Sequence, residues 1–209
     1  MSSALTPIVY VVDDDLSIRE SISSLLRAEG MQVEVFDSPL AFLATDDLNE
    51  LGCLVLDVRM PGLDGLELQS RLVAKGLKIP IVFITGHGDV PMAVRAMKGG
   101  AVDFLNKPFD SADLLAAISS ALAKSLASRL EESGLEELLK RYESLTCREK
   151  QIVTEVARGK ANKIIAIDLD VAESTVKVHR HNAMKKLGMR SVAELSLVME
   201  KLKNAAKLA

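Results

Sequence analysis

Five residues of this chain could do chemistry together. Asp13-Asp14 follows an apolar run that starts at Pro7, and Asp57 follows Cys53-Leu54-Val55-Leu56. Thr85 follows Ile79 to Ile84, and Lys107 comes just after Val102 to Leu105. Short, unbroken apolar runs ending in turn residues mark strands buried on both faces of a parallel sheet. Polar residues at the carboxyl ends of such strands lie on the edge where open α/β sheets place their ligands. Three carboxylates, one hydroxyl and one ammonium would then share a crevice. A divalent cation makes that cluster neutral, and an oxygen-only donor set favours Mg²⁺ (or Mn²⁺), which keeps waters and accepts phosphoryl oxygens. Beside such an ion an aspartate can attack phosphorus and become an acyl phosphate. The metal and the ammonium neutralise charge on the group in transfer. Thr85 is placed to donate to a phosphoryl oxygen.

The elements that must hold these residues alternate regularly. After the first strand, Leu16 to Ala28 has helical spacing at Ile18, Ile22, Leu25 and Leu26 and stops at Glu29-Gly30. Val33, Val35 and Phe36 make a second strand, and Asp37-Ser38 can cap a short helix with Phe42 and Leu43. Leu66, Leu68, Leu72 and Val73 mark the helix after Asp57. Met92, Val94, Ala96 and Met97 mark the next, which stops at Gly99-Gly100 on a left-handed glycine cap. Repeated βα units predict a doubly wound, five-stranded parallel α/β sheet. With strand order 2-1-3-4-5 the first and third strands are neighbours, and the crevice lies between them.

These residues carry a resemblance. Residues 7–123 resemble a two-component response-regulator receiver domain through DD at 13–14, D at 57, T at 85 and KP at 107–108, and the run ITGHGDVPMAVRAMKGGAVDFLNKPF at 84–109 is close to the FixJ branch. The resemblance implies that Asp57 is the phosphoacceptor and that Asp13, Asp14, Asp57 and the backbone carbonyl of Arg59 hold Mg²⁺. It also implies that Lys107 pairs with Asp57 or its phosphoryl group, that the peptide before Pro108 is cis, and that Phe104 is the aromatic that turns inward when Thr85 moves. Haloacid-dehalogenase-type phosphatases use similar groups in the opposite chain order, with the nucleophile on the first strand and the acidic pair last. His87, between two glycines, reads as a loop residue rather than a general base.

Beyond residue 123, Leu114, Ile118, Leu122, Leu126 and Leu130 recur at a stride of four, which predicts one long helix. Ser133-Gly134 is expected to break it before a second amphipathic segment at Leu135, Leu138, Leu139 and Tyr142. Thr146-Cys147-Arg148-Glu149 has the form of a capping box. The helix it opens buries Ile152, Val153 and Val156 and ends at Gly159. Asn162 can cap the next helix, with Ile164, Ile165, Ile167 and Leu169 mostly inside. After a turn at Asp170-Val171, a third helix opens at Glu173-Ser174, with Val176, Ala183, Met184 and Leu187 inward. Lys177, His181 and Lys185 line its outer face. Ser191 starts a last helix through Leu195, Leu197, Val198 and Leu202. Between Ser174 and Ala193 there are five basic residues and no acid. Two short helices joined by a tight turn, the second with a basic outer stripe, read as a DNA-binding helix-turn-helix. RNA is disfavoured, because the segment has no aromatic to stack on bases.

Residues 144–195 resemble the four-helix DNA-binding domain of the LuxR/FixJ/NarL family through LTxRE at 145–149, Gly159, NKxIA at 162–166, TVxxH at 175–179 and KL at 186–187. The resemblance implies that Lys177, Val178 and His181 face bases and that Lys163, Thr175, Arg180 and Lys185 touch phosphates. His179 fits either a structural or a phosphate-binding role.

Charge follows the same division. Residues 1–123 carry 9 Lys/Arg against 17 Asp/Glu, a net −8, whereas residues 146–209 carry 13 against 7, a net +6, so the two halves suit different partners. A receiver at 1–123, a helical linker at 124–143 and a DNA-binding domain at 144–209 are expected. No apolar run approaches the ~18 residues of a membrane span, and MSSALTP lacks the pattern of a signal peptide. Cys53 and Cys147 have no zinc-ligand spacing and fit a reducing cytoplasm. The expected protein is a cytoplasmic phosphorylation-activated transcription factor rather than a turnover enzyme. Its expected partners are a sensor histidine kinase, double-stranded promoter DNA, RNA polymerase and, when phosphorylated, a second copy of itself.

Overall fold

The computed structural model describes residues 6–45, 48, 51–86 and 88–208, divided into two compact units between Arg129 and Leu130. His87 lies outside the described residues.

The first unit runs β1 (Ile8–Val12), α1 (Leu16–Ala28), β2 (Gln32–Phe36), α2 (Pro39–Leu43), β3 (Gly52–Asp57), α3 (Gly65–Ala74), β4 (Ile81–Thr85), α4 (Val90–Lys98), β5 (Asp103–Asn106) and the start of α5 (Ser111–Glu143). The five strands form one parallel sheet in the order β2-β1-β3-β4-β5. Every residue of β3 is buried, as its unbroken apolar run requires. Successive side chains leave a strand on opposite faces, so the sheet feeds two cores. Tyr10, Leu54, Leu56 and Phe83 pack with Leu68 and Leu72 of α3 and with Met92 and Ala96 of α4. Val9, Val11, Val55, Val82 and Ile84 pack with Ile22 and Leu26 of α1 and with Leu114 and Ile118 of α5. Each large apolar side chain so buried contributes about 1.5–3 kcal/mol before entropy is counted.

Three helix and strand expectations change. Val73, Val94 and Met97 are exposed, at 63%, 45% and 48%, because Leu68 with Leu72 and Met92 with Ala96 already fill the space under α3 and α4. β4 begins at Ile81 rather than Ile79. Pro80 accepts the Leu54 N–H at 2.9 Å but has no N–H of its own for the ladder. The break expected at Ser133-Gly134 is absent, since α5 continues through both residues to Glu143. One glycine costs a helix only about 1 kcal/mol against alanine, and the flanking turns of α5 offset it.

The second unit contains the end of α5, then α6 (Cys147–Ala157), α7 (Asn162–Asp168), α8 (Glu173–Leu187) and α9 (Val192–Leu208). Its core gathers Leu145, Ile152, Val153, Val156, Ile165, Val176, Ala183, Leu187 and Leu195. The capping box at the head of α6 is formed in both directions, Thr146 with Glu149. α7 departs from expectation. Its N-cap is Ala161, and Asn162 is the first helical residue. Ile164 and Ile167 are 47% and 68% exposed, since a two-turn helix buries one narrow side, here Ile165 and Ala166. Leu197 of α9 is also exposed. The α7–α8 turn places Asp170 at φ +50°, which an aspartate tolerates better than a bulky residue would.

Candidate functional site

The parallel register decides which residues meet in the first unit. Val12 lies opposite Leu56 and Asp57 opposite Ile84, so β1, β3 and β4 deliver Asp13, Asp57 and Thr85 to one edge of the sheet. Asp13 and Thr85 are wholly buried and Asp57 is 5% exposed, while Asp14 is exposed. One carboxylate oxygen from each of Asp13, Asp14 and Asp57 lies within 4.8 Å of the others. Lys107 reaches in after β5, donating from Nζ to Asp13 Oδ2 at 2.5 Å and to Asp57 Oδ1 at 3.2 Å. Its backbone N–H donates to the Thr85 carbonyl at 2.7 Å, and the Lys107-Pro108 peptide is cis.

The electrostatics follow from burial. Desolvation pushes the Asp57 carboxyl up, Lys107 pulls it down, and the neighbouring Asp13 and Asp14 charges push it up again. The net result lies above the ordinary aspartate value. Desolvation also works against the Lys107 charge, but the Asp13 hydrogen bond and both carboxylates outweigh it, and its pKa is raised. Three crowded acids share one ammonium, an arrangement a small hard cation would relieve.

The loop after Asp57 is drawn back onto the strand. Gly65 N–H donates to the Val58 carbonyl at 2.9 Å, and a Cβ at Gly65 would stand 2.3 Å from the Asp57 carbonyl oxygen. Arg59 is exposed on this loop. Phe104 is half-buried on β5, its ring 6.3 Å from that of Phe83. A Cβ at Gly88 would come within 2.9 Å of both the Phe104 ring and the Thr85 methyl. The backbone after β4 therefore lies directly against both residues.

In the second unit α8 buries Val176, Ala183 and Leu187. Its opposite side leaves Lys177, Val178, His181 and Lys185 exposed, with Thr175, His179 and Arg180 half-buried. Lys177 pairs with Glu173 one turn earlier at 2.9 Å. Arg180 donates to Asn162 Oδ1 at 2.8 Å, which explains why Asn162 does not cap α7. Lys163 is exposed at the head of α7.

Residues 9–119 match the response regulator receiver domain family, and residues 143–199 match the family of bacterial regulatory proteins of luxR type. This chain is a two-component response regulator with a LuxR-type DNA-binding domain. The regulator is 48% identical to the response regulator protein TmoT of Ectopseudomonas mendocina over 202 residues, 96% of this chain and 91% of the relative. It is 45% identical to the transcriptional regulatory protein FixJ of Azorhizobium caulinodans over 187 residues, 90% and 89% of the two chains. Among solved structures it resembles the response regulator StyR, with a TM-score of 0.81, 50% identity and coverage of 94% and 99%. A receiver implies a sensor kinase as partner, and a LuxR-type domain implies DNA binding, so this regulator acts in transcription rather than in turnover catalysis. Among the described residues no helix is long and apolar enough to cross a membrane.

Two features of the regulator escaped the sequence reading. Arg19 of α1 donates to the backbone carbonyl of Asp13 at 2.6 Å; its spacing four residues after the Asp15 N-cap was the available signal. Lys186 of α8 donates from Nζ to the buried Glu149 at 2.7 Å. An acid at the third position of a helix whose far neighbours are basic hints at such a pair without naming the partner.

Proposed function

We propose that Asp57 accepts a phosphoryl group from a sensor histidine kinase and that this controls promoter binding by the LuxR-type domain. The convergence of Asp13, Asp14 and Asp57 carboxylate oxygens within 4.8 Å, with Lys107 bridging two of them, carries the reading. An Asp57 oxygen forms the new O–P bond as the P–N bond of the phosphohistidine breaks, and the imidazole nitrogen keeps the electron pair. Asp13, Asp14, Asp57 and the Arg59 carbonyl would hold Mg²⁺ (or Mn²⁺), which supplies charge neutralisation to the transferring group. The all-oxygen donor set fits such an ion. Lys107 then exchanges its Asp57 contact for a phosphoryl oxygen, and the Thr85 hydroxyl donates to another.

Movement of Thr85 opens space into which Phe104 turns. The surface of α4 and β5 repacks as a two-state element biased by the new contacts. The outcome is homodimerisation, release of the DNA-binding domain, or both, followed by engagement of promoter DNA and RNA polymerase in the cytoplasm. In this reading residues 1–123 are the receiver, 124–143 the helical linker and 144–209 the DNA-binding domain. The deciding measurement is solution mass and promoter affinity with and without Mg²⁺ plus beryllofluoride, for wild type and Asp57→Ala. Tighter DNA binding that requires an intact Asp57 is expected. Unchanged mass and affinity with Asp57 fully occupied would remove phosphorylation as the control.

On the DNA side, Lys177, Val178 and His181 read bases, while Lys163, Thr175, Arg180 and Lys185 contact phosphates. Lys177→Ala should lose about 1–3 kcal/mol of discrimination at one base pair. Lys163→Ala should weaken all sequences alike and lower the salt slope by about 1. Titrations of specific and scrambled duplexes across a salt series separate the two, and an equal loss of preference in both variants would contradict the assignment.

A further inference from the structure

We propose that Arg19 is a positioning residue for the divalent-cation site, aiming the Asp14 carboxylate at the Asp13–Asp57 pair. The inference rests on reading those three acids as a metal site. Asp13 is wholly buried, and each of its polar atoms has a partner. Its N–H donates to the Phe36 carbonyl at 3.3 Å, its Oδ1 accepts from the Asp15 N–H at 2.9 Å, and its Oδ2 accepts from Lys107 at 2.5 Å. The remaining atom is the carbonyl oxygen, and the Arg19 guanidinium takes it at 2.6 Å.

Arg19 is well placed to hold that carbonyl in one direction. Asp15 caps α1 through the Ser17 and Ile18 N–H groups, and the Arg19 N–H donates to the Asp15 carbonyl at 3.1 Å, so the helix start is tied to the turn it follows. A charged donor on a carbonyl makes one of the stronger hydrogen bonds. Because the peptide unit is planar, fixing the Asp13 carbonyl fixes the N–H and Cα of Asp14 as well. The Asp14 carboxylate itself is exposed and meets no donor among the described residues. Its direction therefore depends on its backbone, which Arg19 holds through the Asp13 carbonyl.

A bare cation near the site and a positioning group predict opposite signs. A positive charge beside three carboxylates repels a divalent cation, so removing it should tighten binding if charge were its whole effect. Loss of a group that orients metal ligands weakens binding instead, by about 10–100-fold where such groups have been removed.

Calorimetric titration of Mg²⁺ into full-length wild type, Arg19→Met and Arg19→Lys, with a thermal melt of each, decides between them. Arg19→Met should raise the Mg²⁺ Kd by about tenfold. Arg19→Lys keeps the charge but loses the planar fork and should fall between the two. Unchanged or tighter Mg²⁺ binding by folded Arg19→Met overturns the proposal, whatever its melting temperature. If Arg19→Met does not fold, Arg19→Lys decides. It should bind more weakly than wild type but by less than about tenfold, and wild-type affinity would overturn the proposal. A wild type that fails to bind Mg²⁺ removes the metal-site reading too, whereas a Mg²⁺-binding wild type with an unaffected Arg19→Met removes the positioning role alone.

Discussion

Asp57→Ala should abolish phosphoryl labelling of the chain and also raise the melting temperature of the receiver at neutral pH in metal-free buffer. The two effects have one cause. Asp57 is 5% exposed, and burial, Asp13 and Asp14 all disfavour its charged form. A charged Asp57 at neutral pH therefore costs the folded state more than the unfolded chain, and its removal relieves that cost. The ammonium is not orphaned by the change, since Lys107 keeps its shorter contact to Asp13. Lys107→Ala should do the reverse. It leaves Asp13 and Asp57 buried side by side without a counter-charge, a loss on the order of 3 kcal/mol. Labelling with a small phosphodonor and thermal melts of the three proteins test both arms. Residual stoichiometric labelling of Asp57→Ala would move the acceptor elsewhere, and a lower melting temperature would show the carboxylate to be structural.

The receiver was legible because its chemistry sits where its strands end. Cys53 to Leu56, stopped by turn residues, reads as a doubly buried strand, and once β1, β3 and β4 are parallel neighbours, Asp13, Asp57 and Thr85 must meet. What the residue pattern could not supply is who occupies the other side of a contact. Val73, Val94 and Met97 have the spacing of core residues yet remain exposed. Periodicity states that a face is apolar, not how wide a strip its neighbour covers. The acceptor of Arg19 was hidden for a related reason. Spacing from Asp15 places the guanidinium near the turn, but the group it meets is a backbone carbonyl, which leaves no trace in residue type.

The DNA-binding unit shows the same limit more sharply. Thr146 and Glu149 announce a capping box, and both halves of it are formed. Asn162, in contrast, has the residue type of a cap and fails to be one, because Arg180 from α8 claims its side-chain oxygen. Gly134 has the residue type of a break, but α5 runs through it. Local propensity differences of about 1 kcal/mol give way when a tertiary partner or a long helix contributes more.

Lys186 offers the strongest test of that distinction, since the sequence counts it only among the five basic residues after Ser174 while the structure pairs it with a buried carboxylate of α6. Its Nζ donates to Glu149 Oε2 at 2.7 Å, and the Glu149 side chain is 4% exposed against 40% for the lysine. That hydrogen bond is the main reason the Glu149 carboxyl is held below its ordinary range, with burial opposing it and Thr146 assisting. Lys186→Met leaves the carboxylate buried with only its capping partners. With allowance for the half-exposed lysine, the loss is about 1–3 kcal/mol. For a unit of this size that corresponds to about 5–20 °C in Tm. The pH dependence has a definite sign. A lowered acid pKa contributes stability above the unfolded-state value and loses it as pH falls through the folded value, so acidification should destabilise wild type more than Lys186→Met. Below its own melting temperature the variant should keep the wild-type salt slope for DNA, because this ammonium is committed to Glu149. A slope reduced by about 1 would add Lys186 to the phosphate contacts and leave Glu149 as a capping residue alone.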